Sequence, residues 1–224
     1  THSMFAAAEH GAAVVFATGR PLRWLDLLEV FTDVNPTVIA SNGAVTYDLR
    51  NHRVISDTPF PIDVITDVVN DIASELPEAK FSLEEAQRCC VEPGFDRVDH
   101  GRPVTHQGPI REFLTPDSRP VKMLVRAFGI PTEELFEIVD GVVDGRVSTT
   151  FSVQLDDGLV ELAPIGVSKG AALSATAEQL GVDLADDHAH QRPPDRQRDE
   201  ERGRVAGVHQ RQQCEGRVSQ PAVA

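Results

Sequence analysis

The run Ala13-Val14-Val15-Phe16-Ala17-Thr18-Gly19-Arg20-Pro21 constrains the fold more than any other stretch. A continuous apolar segment of this length reads as a strand buried on both faces, the condition of a parallel strand covered by helices. It ends abruptly in Thr-Gly-Arg-Pro, which brings a hydroxyl, a flexible glycine and a cation to the carboxyl edge of a sheet. Open α/β sheets bind their ligands at that edge. Residues 4–12 are alanine-rich and reach Gly11, the pattern of a helix with glycine just past its end. Leu22, Leu25, Leu28 and Phe31 recur at spacing three and predict an amphipathic helix, so the local order is strand, turn, helix.

A second apolar run, Pro36-Thr37-Val38-Ile39-Ala40, also stops in a polar turn, Ser41-Asn42-Gly43-Ala44. Taken alone, Asn-Gly is equally the signature of a hairpin turn, because both residues tolerate positive φ. The segments 45–48 and 54–56 predict a small hairpin leading away from the sheet. From about Pro61 the character changes: a helix marked by Ile62, Ile65, Val68, Val69 and Ile72, strands near 80–92 and 120–127, a helix opened by Pro131 and Glu133-Glu134, and strands over 146–155 and 158–163. This block of about 50–160 has its own helices and strands in α+β order and reads as a second domain inserted into the first. Gly166-Val167-Ser168-Lys169-Gly170 then opens a helix that Gly181 closes. A lysine at a helix N-terminus opposes the macrodipole, which points to an anion nearby; a solvated first-turn lysine is the alternative.

Charge and composition narrow the classes. Thirty-five acidic side chains against 21 basic ones give a net charge of −14, which argues against nucleic acid or a membrane surface as partner and suits a soluble cytoplasmic protein. Cys89 and Cys90 are adjacent and Cys214 is distant, neither a disulfide framework nor a zinc spacing. The last 38 residues, 187–224, are of another kind: no Leu, Ile, Phe, Met, Trp or Tyr, but seven Arg and six Gln, where the preceding 186 residues hold four Gln. Such a segment buries too little apolar area to offset its ordering entropy and is expected to lack order.

Four features stand in one order: an apolar strand with Ala-Thr-Gly-Arg-Pro, an apolar strand with Ser-Asn-Gly-Ala, an inserted α+β block, and Gly-Val-Ser-Lys-Gly opening a helix. That order resembles the haloacid dehalogenase-like (HAD) superfamily, in its Cof-type (HAD-IIB) sugar-phosphatase branch, over residues from about 5 to 186. The resemblance implies an α/β fold: a Rossmann-like parallel sheet with flanking helices, formed by residues 1–45 and 161–186, and an α+β cap over 46–160. It also implies magnesium-dependent hydrolysis of a phosphomonoester, a sugar phosphate or similar small phosphorylated metabolite, through an aspartyl-phosphate. By the same resemblance, Thr18 would hydrogen-bond a phosphoryl oxygen beside the Gly19 backbone and Lys169 would neutralise its charge. Asn42 and the Gly43 amide would line the phosphate or substrate side. Arg20 would either bind substrate or pair with a cap carboxylate. The polar loop 93–109, with Arg97, Asp99, His100, Arg102 and His106, is the cap segment expected to face substrate.

The sequence departs from this pattern at two points. The family's Asp-x-Asp-Gly-Thr motif, source of nucleophile and general acid/base, should precede Thr18 by some thirty residues, yet the 17 residues before Thr18 contain no Asp. The motif Gly-Asp-x-x-Asn-Asp, which supplies magnesium-binding carboxylates, should follow the Lys169 helix. Asp186 and Asp187 stand near that place, and then Pro193-Pro194 interrupts any strand. The expectation is therefore a truncated and frameshifted member of the family, shifted near Asp186 and inactive by itself. A non-catalytic phosphoanion-binding or regulatory α/β protein is the alternative.

Overall fold

The computed structural model describes residues 2–96, 104–182 and 206–208. They form two sheets. The first contains β1 (Val14–Ala17), β2 (Thr37–Ala40), β3 (Val45–Asp48), β4 (Arg53–Asp57) and, at the far end of the chain, β11 (Ala206–Val208), in the order β11-β1-β2-β3-β4. β1 runs parallel to β2 with Phe16 opposite Val38. Val14, Val15 and Phe16 are all buried, as a strand covered on both faces requires. Phe16 and Val38 point to one face, toward Leu25, Leu28 and Phe31. Helix α1 (His2–Glu9) joins that layer through Phe5, whose ring lies 6.3 Å from that of Phe31. Val15 and Ile39 alternate to the other face, where helix α4 (Lys169–Gln179) packs across β1 and β2.

Two local expectations change here. The amphipathic helix predicted from Leu22 onward is a pair of 3₁₀ segments, Leu22–Trp24 and Asp26–Val34. Apolar residues spaced by three fit three residues per turn better than 3.6, so the same periodicity that suggested a helix selects the tighter one. The 45–57 hairpin does not lead away from the sheet. After the 41–44 turn the chain doubles back on the open edge of β2, pairing Ala40 with Val45, and β4 extends the sheet by one more strand. Residues 46–57, assigned by sequence to the cap, thus share the first sheet.

The second sheet contains β5 (Lys80–Glu84), β6 (Cys89–Val91), β7 (His106–Gln107), β8 (Lys122–Arg126), β9 (Ser148–Thr150) and β10 (Leu159–Ala163), ordered β7-β6-β5-β8-β10-β9. It continues through Ala163, beyond the expected limit at 160. Helices α2 (Ile62–Glu75) and α3 (Thr132–Val143) cover it. Ile65, Val68, Val69 and Ile72 of α2 and Leu135, Val139 and Val143 of α3 meet Phe81, Leu83, Met123, Val125, Val160 and Leu162 of the strands in one core. Burial of each such side chain contributes about 1.5–3 kcal/mol. Cys89 and Cys90 are both fully buried, and Cys90 belongs to this core. Burial, with Glu84 adding to it, pushes the Cys89 thiol up to about 12, so it stays protonated and unreactive.

From the 187–224 segment, expected to lack order, Ala206–Val208 forms a strand parallel to β1 with Gly207 opposite Val15. No helix of the described residues is long and apolar enough to cross a membrane.

Candidate active site

Three loops interlock at the carboxyl edge of β1 and β2. The Thr18 amide donates to Ile39 O at 2.8 Å, the Ser41 amide to Arg20 O at 3.0 Å, and the Asn42 amide to Thr18 O at 3.1 Å. The turn after β1 and the turn after β2 are thus stitched together through their backbones. Thr18 Oγ1 accepts from the Arg20 amide at 3.1 Å, a contact that uses a lone pair and not the hydroxyl hydrogen, so the group can still donate to a phosphoryl oxygen. Ser41, Asn42 and Gly43 take three successive left-handed conformations, φ 49°, 60° and 109°. Strain of this kind concentrates at ligand-binding turns.

Two glycines make the interlock possible. A Cβ on Gly19 would lie 2.6 Å from Asn42 Oδ1. One on Gly43 would run into the Ser168 carbonyl and come within 3.0 Å of the Lys169 nitrogen. Asn42-Gly43 therefore packs directly on the start of α4. There Ser168 caps the helix, its Oγ accepting from the Ala171 amide at 3.1 Å. The sequence-predicted Thr18, Gly19, Asn42, Gly43 and Lys169 are gathered in one place.

The second sheet closes over this edge with charged groups that the sequence reading missed. Lys122 of β8 and Glu161 of β10 form a buried ion pair, Nζ to Oε2 2.7 Å. Lys122 Nζ also donates to Gly19 O at 3.3 Å. Glu161 accepts from Asn42 Nδ2 at 2.9 Å and from Ser152 Oγ at 2.9 Å. Burial alone would raise the Glu161 carboxyl, but the Lys122 charge and the hydrogen bonds from Lys122, Ser152 and Asn42 outweigh it and hold it below its ordinary value. Lys169 is half-buried; desolvation lowers its pKa, Glu161 opposes that, and Lys122 adds to it. A lysine isolated in an apolar-flanked strand, and a glutamate in Leu159-Val160-Glu161-Leu162, were the available signals.

Arg23, three residues beyond Arg20, takes the cap carboxylate that Arg20 had as one alternative. Its Nε donates to Glu84 Oε2 at 3.1 Å and its Nη2 reaches Oε1, and Glu84 is only 2% exposed. Arg20 enters the interlock through its backbone, and no ion pair of its guanidinium is found among the described residues. Asp186, Asp187, Arg97, Asp99, His100 and Arg102 lie outside the described residues. His106 is exposed and stacks near Phe113, ring centroids 5.9 Å apart.

Among the described residues no three His, Cys, Asp or Glu side chains converge to hold a metal ion. Among the described residues the carboxylate at the site, Glu161, already accepts from three donors, so these residues do not fit a magnesium centre.

The sequence model of the haloacid dehalogenase-like hydrolase family matches residues 2–189. The chain belongs to that family. The fold of this HAD-like hydrolase is shared with solved structures at low identity. The HAD subclass IIB sugar phosphatase BT4131 superposes with a TM-score of 0.64 at 16% identity, covering 82% of this chain and 68% of that one. A haloacid dehalogenase-like hydrolase from Bacteroides thetaiotaomicron gives 0.64 at 15%, covering 81% and 69%. TM0651 from Thermotoga maritima gives 0.63 at 22%, covering 80% and 67%.

Proposed function

We propose that this HAD-like hydrolase recognises the phosphoryl group of a small phosphorylated metabolite, a sugar phosphate being the class suggested by the fold shared with BT4131. Thr18, the 42–43 turn and Lys169 act as the phosphate-binding side of a phosphomonoesterase. The observation that carries this reading is the packing of Gly43 on the Ser168–Lys169 backbone. It sets a hydroxyl donor, a left-handed turn and a half-buried cation around one edge, a donor set suited to a tetrahedral dianion.

The same residues supply binding without turnover. Among the described side chains no carboxylate is free at this edge to attack phosphorus or to bind magnesium, since Glu161 is committed to Lys122, Asn42 and Ser152. The magnesium-dependent hydrolysis implied by the family would need carboxylates outside the described residues, and without such groups the rate would be negligible. The test is p-nitrophenyl phosphate with magnesium, alongside calorimetric titration with inorganic phosphate. Phosphate binding that Lys169→Ala abolishes, without hydrolysis, is expected. Magnesium-dependent turnover by the 224-residue chain would refute the inactivity, and binding indifferent to Lys169→Ala would refute the site.

A further inference from the structure

Glu161 places a carboxylate against the very groups that an incoming phosphoanion would engage. Its Oε2 is held by Lys122 Nζ at 2.7 Å and Asn42 Nδ2 at 2.9 Å, and its Oε1 by Ser152 Oγ at 2.9 Å. Asn42 belongs to the first sheet's binding turn, whereas Lys122, Ser152 and Glu161 belong to the cap side. The Asn42–Glu161 bond therefore spans the junction between the two sheets, as does the bond from Lys122 to Gly19 O. The side chains are largely dehydrated, with Lys122 7% and Glu161 13% exposed, so the local charges act with little screening. Two lysines, Lys122 and Lys169, face one carboxylate. The cluster thus carries one positive charge in excess, while Glu161 occupies the Lys122 and Asn42 donors that an anion would otherwise use.

We propose that Glu161 is an intramolecular stand-in for the substrate's phosphoryl oxygens, an autoinhibitory carboxylate that an arriving phosphoanion displaces. This rests on the phosphate-site reading given above. With the site empty, Glu161 satisfies Asn42 and Lys122 and keeps the cap seated on the binding edge. A phosphomonoester dianion offers the same two donors more charge and more acceptor oxygens. Asn42 Nδ2 and Lys122 then turn from Glu161 to the ligand, and the cap-borne Lys122 becomes a ligand-binding residue. Because the anion must displace a resident competitor, its apparent affinity is lowered by the fraction of molecules in which Glu161 is docked.

The experiment is calorimetric titration of the full 224-residue chain with inorganic phosphate, comparing wild type, Glu161→Gln, Ser152→Ala and Lys169→Ala. Glu161→Gln keeps the shape but removes the competing charge, and is expected to bind phosphate about tenfold tighter, as for a competent state about one-tenth populated in the wild type. Ser152→Ala removes only the outer anchor of the carboxylate and is expected to tighten binding about two- to threefold on the same scale. Unchanged or weaker binding by Glu161→Gln would overturn the stand-in role, while loss of binding in Lys169→Ala would still uphold the phosphate site. Absence of phosphate binding from wild type and both cap variants would overturn both readings. If Glu161→Gln does not fold, as judged by circular dichroism, the exposed Ser152→Ala variant decides, and unchanged affinity there overturns the proposal.

Discussion

Gly43 lies so close to the backbone of Ser168 that a Cβ on it would overlap the Ser168 carbonyl. The neighbours are main chain and cannot swing aside, and φ at Gly43 is 109°. Gly43→Ala is therefore expected to destabilise the protein by at least about 2 kcal/mol, combining a left-handed alanine with a displaced helix start. Gly11→Ala is the control: φ is 84° but nothing lies within 4 Å, so only the conformational cost of about 1 kcal/mol applies. Urea denaturation of the two variants checks the difference, and equal losses would show that the Gly43–Ser168 contact is not tight.

Ser168 is expected to contribute separately. Its Oγ accepts from the Ala171 amide at 3.1 Å, and Ser168→Ala should cost about 1 kcal/mol, the usual value of an N-cap side chain. Ser168→Asp should retain the cap. Its added negative charge beside Lys169 is expected to weaken phosphate binding, so stability and binding separate in the same variant.

Lys122 and Glu161 should be far more costly to break singly than together. Lys122→Met leaves a largely buried carboxylate without its cation, and a loss of about 3 kcal/mol is expected. The double variant Lys122→Met/Glu161→Leu removes both charges and is expected to recover most of that loss, since a well-packed apolar pair often equals a buried ion pair. A double-mutant cycle by chemical denaturation measures the coupling, and additive losses would show that the two groups do not interact.

The pH dependence of stability follows from Glu161. Its folded-state pKa lies below its ordinary value of 4.5, so its stabilising contribution is fully present above that ordinary value and is lost as pH falls through the lowered one. Comparing urea midpoints of wild type and the double variant between about pH 7 and pH 3 should show the wild-type advantage persisting past the usual glutamate range before it disappears. Phosphate binding should fail at the opposite end. Burial, reinforced by Lys122, lowers the Lys169 pKa from its ordinary 10.5, so binding weakens as pH rises through that lowered value. In Glu161→Gln the supporting negative charge is gone, and the alkaline loss of binding should begin at lower pH than in the wild type.

What could be read from the sequence was local. β1 and its Thr18, helices α2 and α3, and the α4 helix opened by 166–170 and closed by Gly181 follow from apolar periodicity and helix-end signals, which lie within a few residues of each other. The Leu22–Phe31 segment is legible as apolar and regular, but a spacing of three does not by itself separate a 3₁₀ helix from the wider α-helix. The β3–β4 hairpin was found and its attachment missed, because pairing with β2 depends on which edge the 41–44 turn leaves open. Lys122, Glu161 and the Arg23–Glu84 pair were not legible as site residues: the Asn42–Glu161 bond joins positions 119 apart and Arg23–Glu84 positions 61 apart. A lone charge inside an apolar strand announces that it must have a partner, but not which one.

Both connections between the sheets pass the same point. The outgoing chain is tied there by Thr58, whose amide donates to Ala44 O at 2.8 Å, and the returning chain reaches Ser168 against Gly43. Two straps fastened at adjacent residues define an axle, and the binding turn sits on it. A swing of the second sheet about it would part the Lys122–Gly19 and Glu161–Asn42 contacts while hardly moving Thr18, Asn42 or Lys169. The stationary part would hold the anion and the travelling part would exchange its contacts, as in a jaw whose grip lies at the hinge.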